Sequence, residues 1–190
     1  MGPKKPIQDV HAAAFFNGAR EYQGAADELF AIADARPKTK IYGTMQFDSP
    51  LHLLYFHTIE LALKAFLRAN NLPILKTRRQ SHNLYDLYLE CRNLGLTIGL
   101  RDKFEIENIV QLLDIANEHQ GIRYFNLQPS ATADLSWVRD VTAELMRAVE
   151  PHVVRRQQQD NLRLDVPAKA TVIAEKPVPG RNQFPLERRE

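Results

Sequence analysis

Cysteine is nearly missing from this chain: Cys91 is the only one in 190 residues. One thiol cannot close an intrachain disulfide, and no Cys/His group has the spacing of a structural zinc site. Long apolar runs are missing too. No window approaches the roughly 18 consecutive apolar residues of a membrane span. The opening MGPKKPIQDV carries lysines with no apolar stretch behind them, and Gly2 lacks the Ser or Thr at the sixth position that myristoylation takes. A soluble, unexported protein of a reducing cytoplasm is expected, with no membrane partner. Nor does one charge dominate: 25 basic against 23 acidic residues leave a net +2, so any footprint for nucleic acid must be local. No cofactor motif is recognisable and no cofactor is expected.

What is present is enough apolar residue, 44% of the chain, for one real core. The chain is organised around LHLLYFHTIELALKAFLRANN, from Leu51 to Asn71. At 3.6 residues per turn, His57, Glu60, Lys64, Arg68 and Asn71 fall within a wedge of roughly 80°, and most of the rest is apolar. A helix apolar nearly all round needs neighbours on several sides. Ser49 before Pro50 reads as its N-cap, and Asn70, Asn71 and Pro73 as its end.

Four further helices follow from periodicity. Ala12, Phe15, Phe16, Ala19, Tyr22, Ala26, Leu29, Phe30 and Ala33 recur at steps of three and four, giving a helix from about Asp9 to Ala35, stopped by Pro37. Gly18 and Gly24 inside it cost helix propensity, which close approach by another helix would justify. Asn83 with Asp86 resembles a capping box ahead of a short helix ended by Gly95. Asp102 with Glu105 repeats the pattern before a helix running to about Gln120, with Gly121 as its stop. A last helix carries Leu135, Val138, Val141, Leu145 and Val149, with Trp137 at its edge against the bundle, and should end near Pro151. Residues 1–154 are therefore expected as an all-α, five-helix, largely antiparallel bundle. Residues 155–190, rich in proline and charge, are expected as a flexible tail.

His57, Glu60, Leu61, Lys64 and Leu67, then His82, Asn83 and Leu84, then Ile122, Arg123 and Tyr124 after the fourth helix, stand in an order that resembles the HEPN superfamily. These are small helical bundles, often dimeric, of toxin–antitoxin, phage-defence and nucleotidyltransferase-associated systems. The resemblance spans about Asp9 to Glu150. It implies a homodimer, RNA or a nucleotide as ligand, and a cognate antitoxin or nucleotidyltransferase as partner. Many members are metal-independent ribonucleases that use Arg-x4-6-His near the junction of the last two helices. Histidine there serves acid–base steps on the 2′-hydroxyl and leaving oxygen, and arginine stabilises phosphoryl charge.

Arg123 stands where that arginine is expected, but Tyr-Phe-Asn-Leu-Gln-Pro-Ser follows it, without histidine. A literal Arg-x4-His runs from Arg147 to His152, five residues that a helix turns about 140° apart. His119 precedes Arg123 in reversed order; its plain reading is a helix-terminal histidine. The first expectation is thus a non-catalytic HEPN-like binding or partner module, its ligand groove lined by His57, Glu60, Lys64, Arg68, His82, Arg123 and Tyr124. Tyr124 could stack on a base. The alternatives are a ribonuclease toxin with a rearranged site drawn from His57, His82, His119 and Arg123 or from Arg147 and His152, and a structural or regulatory dimer without ligand. Glu60 and Lys64, an i,i+4 pair on a buried helix, read more simply as an ion-pair network with His57, His82 or Arg123 that holds helix register. Lys76, Arg78 and Arg79 form a basic cluster whose plain reading is a solvated turn.

Overall fold

The computed structural model describes residues 10–35, 48–74, 82–99, 103–117 and 134–164. Among these lie five helices and no strand: α1 (Ala12–Asp34), α2 (Asp48–Ala69), α3 (Leu84–Asn93), α4 (Lys103–Asn117) and α5 (Leu135–Leu164). They form the expected all-α bundle with α2 at its centre, packed against α1, α3 and α5. The direction of each pair follows from its contacts. Asp27 of α1 meets Tyr55 of α2, while Val10, just before α1, meets Arg68, so α1 and α2 are antiparallel. Leu84 lies on Asp114 and Arg92 on Glu107, so α3 and α4 are antiparallel as well. Phe66 meets His152 and Asn71 meets Arg156, so α2 and α5 run parallel.

The most extensive seam is between α1 and α2. Ala12, Ala19, Ala26 and Ala33 recur every seven residues and are all buried, with Phe16 and Phe30 one turn beyond two of them. Small side chains at this spacing let the two backbones close in, and a Cβ on Gly18 would stand 3.3 Å from Leu61 Cδ1. Gly24 does not share that role, because nothing lies within 4 Å of where its Cβ would be. Tyr22 also leaves the expected stripe: it is 40% exposed.

Two helix ends are closed by the same device. After α2, Asn71 takes φ 62°, Leu72 N–H donates to the Leu67 carbonyl and Asn71 N–H to that of Arg68. After α3, Gly95 takes φ 89°, Leu96 N–H donates to Cys91 and Gly95 N–H to Arg92. Each is a Schellman ending, in which one left-handed residue turns the chain and satisfies carbonyls that the helix leaves free. Asn83 accepts from the Asp86 N–H at 2.7 Å, as the capping pattern predicts. Asp114 of α4 adds a bond to the Leu84 N–H at 2.9 Å, which ties α4 to the start of α3. At the head of α5, Asp134 accepts from the Ser136 N–H.

The fifth helix departs most from expectation. It continues through Pro151 to Leu164. Proline removes one helical donor, yet Val149 and Val153 on either side are buried. The His152 ring sits 4.7 Å from that of Phe66. Packing on α2 carries the helix past the local stop, so residues 155–164 belong to it. Trp137, expected against the bundle, is 58% exposed. α2 begins at Asp48, which places Ser49 inside the first turn. Pro37, Asp102, Gly121 and residues 165–190 lie outside the described residues. No helix among the described residues is long and apolar enough to cross a membrane.

The two kinds of small residue in α1 should respond oppositely. Gly24→Ala gains helix propensity with no clash and should raise the free energy of unfolding by about 1 kcal/mol. Ala26→Leu forces bulk into the closed seam and should lower it by about 1–3 kcal/mol. Urea unfolding measures both, and equal effects would mean that the seam is not close-packed.

Candidate functional site

Three positions of the polar stripe meet at one carboxylate. Glu60 and Lys64 are only 4% and 3% exposed, because α1, α3 and α5 cover the helix that carries them. Lys64 Nζ donates to Glu60 Oε1 at 2.5 Å, spanning one helical turn. His82, in the short segment that caps α3, brings its Nδ1 to the same oxygen at 2.8 Å. His57, one turn before Glu60, stands with Nδ1 3.8 Å from Oε2, close enough for electrostatic attraction and too far for a hydrogen bond. Oε2 is left without a hydrogen-bond partner.

Burial would push the Glu60 carboxyl up, since desolvation penalises its charged form. His57, Lys64 and His82 outweigh that and hold it down at about 2. The carboxylate is therefore ionised across the physiological range and can only accept. It follows that His82 Nδ1 carries the proton of the shared bond, and Nε2 is the other polar atom of a ring whose side chain is 42% exposed. His57 is about a quarter exposed, with the Tyr22 ring of α1 at 5.3 Å. The arrangement has a neutralised, buried base and a wet mouth of two imidazoles and a phenol. The mouth can accept and donate hydrogen bonds and can stack on a planar ligand.

The remaining sequence-predicted residues divide into three sets. Arg68, on the same stripe, is spent on the backbone: it donates to the Val10 carbonyl at 3.2 Å and the Leu72 carbonyl at 3.4 Å, joining the start of α1 to the end of α2. Arg147 and His152 diverge. Arg147 is exposed, while His152 turns inward onto Phe66, where burial and Arg155 lower its pKa. His119, Arg123, Tyr124 and the cluster Lys76, Arg78 and Arg79 lie outside the described residues.

Cys91 offers no nucleophile. It is buried, it donates to the Leu63 carbonyl at 3.5 Å, and burial pushes its thiol far up. No group of three or more His, Cys, Asp or Glu among the described residues has the geometry to hold a metal ion. A separate cleft of about 560 Å³ between α1 and α5 is lined by Asp27, Asp34, Asp140 and Arg139. The buried Tyr55 hydroxyl donates to Asp27 at 2.9 Å behind it. Tyr22 is the neighbour of the site that sequence reasoning missed, because its place in the α1 period reads as core, whereas the packing of α1 on α2 sets its ring 5.3 Å from that of His57.

No protein-family model, no curated protein and no solved structure matches this chain.

Lys64→Met should destabilise the fold by roughly 3–5 kcal/mol, because it strands a buried carboxylate. Adding Glu60→Leu to it should recover most of that loss. A double variant no better than Lys64→Met would show that the pair is not the source of the cost. Acid should act through the same group. Its folded pKa, about 2, lies below the ordinary 4.5, so the unfolded chain binds the proton more tightly. The carboxylate's contribution, roughly 3 kcal/mol, is present above pH 4.5 and fades as pH falls towards 2. Urea unfolding of the wild type against the Glu60→Leu/Lys64→Met variant between pH 6 and pH 3 measures the difference, with the wild type expected to lose more stability.

Proposed function

We propose that this chain is a HEPN-like, non-catalytic binding or partner module of an RNA-linked or defence-type system, working as a homodimer, with RNA or a nucleotide as ligand and a cognate antitoxin or nucleotidyltransferase as partner. The observation that carries the reading is the shared carboxylate. Glu60, Lys64 and His82, which with His57 and Arg123 carry the HEPN resemblance, come together from two segments separated by a link.

The same geometry favours binding over cleavage. Lys64 and Glu60 spend their charge on each other, so neither is available to a scissile phosphate. Arg147 and His152 face apart, and the residues after Arg123 supply no histidine. What the bundle offers a ligand is the mouth: His57, His82 and Tyr22.

The test takes the full chain and a version ending at Leu164, since truncation after Val154 would cut into α5. Single-stranded RNA should be retarded by both in a salt-dependent manner. His82→Ala should weaken that binding about tenfold. Binding lost with residues 165–190 would assign it to that segment and overturn the reading. Incubation with total RNA in EDTA, beside His82→Ala, Arg123→Ala and His152→Ala, should give no cleavage. Cleavage abolished by His152→Ala alone would replace the module with a ribonuclease.

A further inference from the structure

A second polar region lies at the far end of α2, about 15 Å along the helix from Glu60. A cleft of about 240 Å³ opens there between the end of α2 and the C-terminal half of α5, lined by Asn70, Asn71, His152, Arg155, Arg156 and Gln159. It exists only because α5 continues past Pro151. Its walls are fixed by contacts already made. Asn70 Nδ2 donates to the Phe66 carbonyl at 2.9 Å, and Arg156 donates to Asp160 at 3.0 Å and also to the Asn71 side-chain oxygen. The His152 ring is held edge-on against Phe66. Within this frame one cation is unspent: Arg155 is exposed and makes no ion pair among the described residues.

A helix C-terminus ordinarily repels anions, because its last carbonyls point outward with partial negative charge. Here three of those carbonyls are occupied. Phe66, Leu67 and Arg68 accept from the N–H groups of Asn70, Leu72 and Asn71, respectively. The donors left for a ligand in the cleft are the His152 imidazole, the Arg155 guanidinium and the Gln159 amide, and the nearby carboxylate of Asp160 is engaged by Arg156.

We propose that this cleft binds a phosphate group, gripped by Arg155 and His152 with Gln159 as a further donor. Arginine matches phosphate oxygens with paired N–H groups, and a neutral imidazole can donate to a third oxygen. The volume suits one phosphoryl group with part of what carries it. Burial and Arg155 keep His152 neutral in the empty cleft. A phosphate bound between them offsets the Arg155 charge, so His152 should take up a proton more readily when the site is filled. Among the described residues, the charged groups that line the cleft with His152 are Arg155 and Arg156 on α5, with Asp160 paired to Arg156, whereas the end of α2 and the turn after it contribute the neutral Phe66, Asn70 and Asn71. The site does not rest on the HEPN-like reading, for it shares no residue with the Glu60 cluster.

The test follows the His152 imidazole resonances of the full chain by NMR, assigned by their loss in His152→Gln. Inorganic phosphate is titrated at constant ionic strength. A saturable shift is expected, with half-saturation in the millimolar range or tighter. Arg155→Gln should weaken it about tenfold, while Arg20→Gln, which removes the same charge from the exposed face of α1, should leave it unchanged. A shift that rises without saturating, or that Arg155→Gln leaves intact, overturns the site. A competing RNA oligonucleotide with and without a 5′-phosphate then distinguishes the source. Displacement by the phosphorylated form alone assigns a nucleotide terminus, displacement by both assigns the nucleic-acid backbone, and displacement by neither assigns the free ion.

Discussion

The Glu60 carboxylate is the constraint on which the rest of the bundle depends. Placing an ionised group at 4% exposure inside a helical core is tolerated only when partners replace the water it gives up. Lys64 supplies the opposite charge from one turn away, and His82 supplies a second donor from beyond the α2–α3 link. Each bond removes a freedom. The first holds the polar stripe in register on α2, and the second pins the entry to α3, whose other end is then closed by Gly95 and tied through Cys91 to the Leu63 carbonyl. A buried pair of this kind contributes little net stability against an apolar replacement. What it contributes is a single arrangement of α2 and α3.

The face of α2 that α1 covers is organised by absence of bulk. The heptad of alanines on α1 brings two backbones together, and that closeness is what turns Tyr22 onto His57 at the mouth of the polar cluster. The seam and the cluster are thus linked. A wider α1–α2 spacing would bury less of Lys64 and would move the phenol off the imidazole. On the third side α5 runs parallel to α2 and past its end, and its continuation past Pro151 builds the basic cleft. The two polar regions then mark the middle and the end of one helix. The first has its charges mutually satisfied and presents imidazoles. The second has its frame satisfied and presents the Arg155 guanidinium, which makes no ion pair among the described residues.

Much of this was legible in the residues. Five amphipathic periods, the Asn83 cap, the Gly95 stop and the i,i+4 relation of Glu60 to Lys64 are local features, governed by interactions within a turn or two, and they were read correctly. The meeting of His82 with Glu60 was among the combinations the stripe allowed, although spacing could not choose it over His57 or Arg123. The failures have one physical origin. Pro151 is a local stop that Val149, His152 and Val153 override by packing on α2. Trp137 and Tyr22 sit at apolar positions of their helical periods yet face water, because a bundle covers only the faces that its neighbours reach. Gly24 shares the sequence appearance of Gly18 and none of its crowding.

By itself, then, the sequence determined the helices, the polar stripe on the central one, and the exclusion of disulfide and membrane-span solutions, since each depends on residues near one another in the chain. The tertiary structure alone decided which stripe residue is spent on backbone, which histidine binds the buried carboxylate and which stays at the mouth, and where α5 ends. Those outcomes depend on the angles and distances between helices, set by side-chain volume summed over whole interfaces. The stripe from His57 to Arg68, continuous in sequence, became in space a buried ion pair, an open mouth and a backbone clasp.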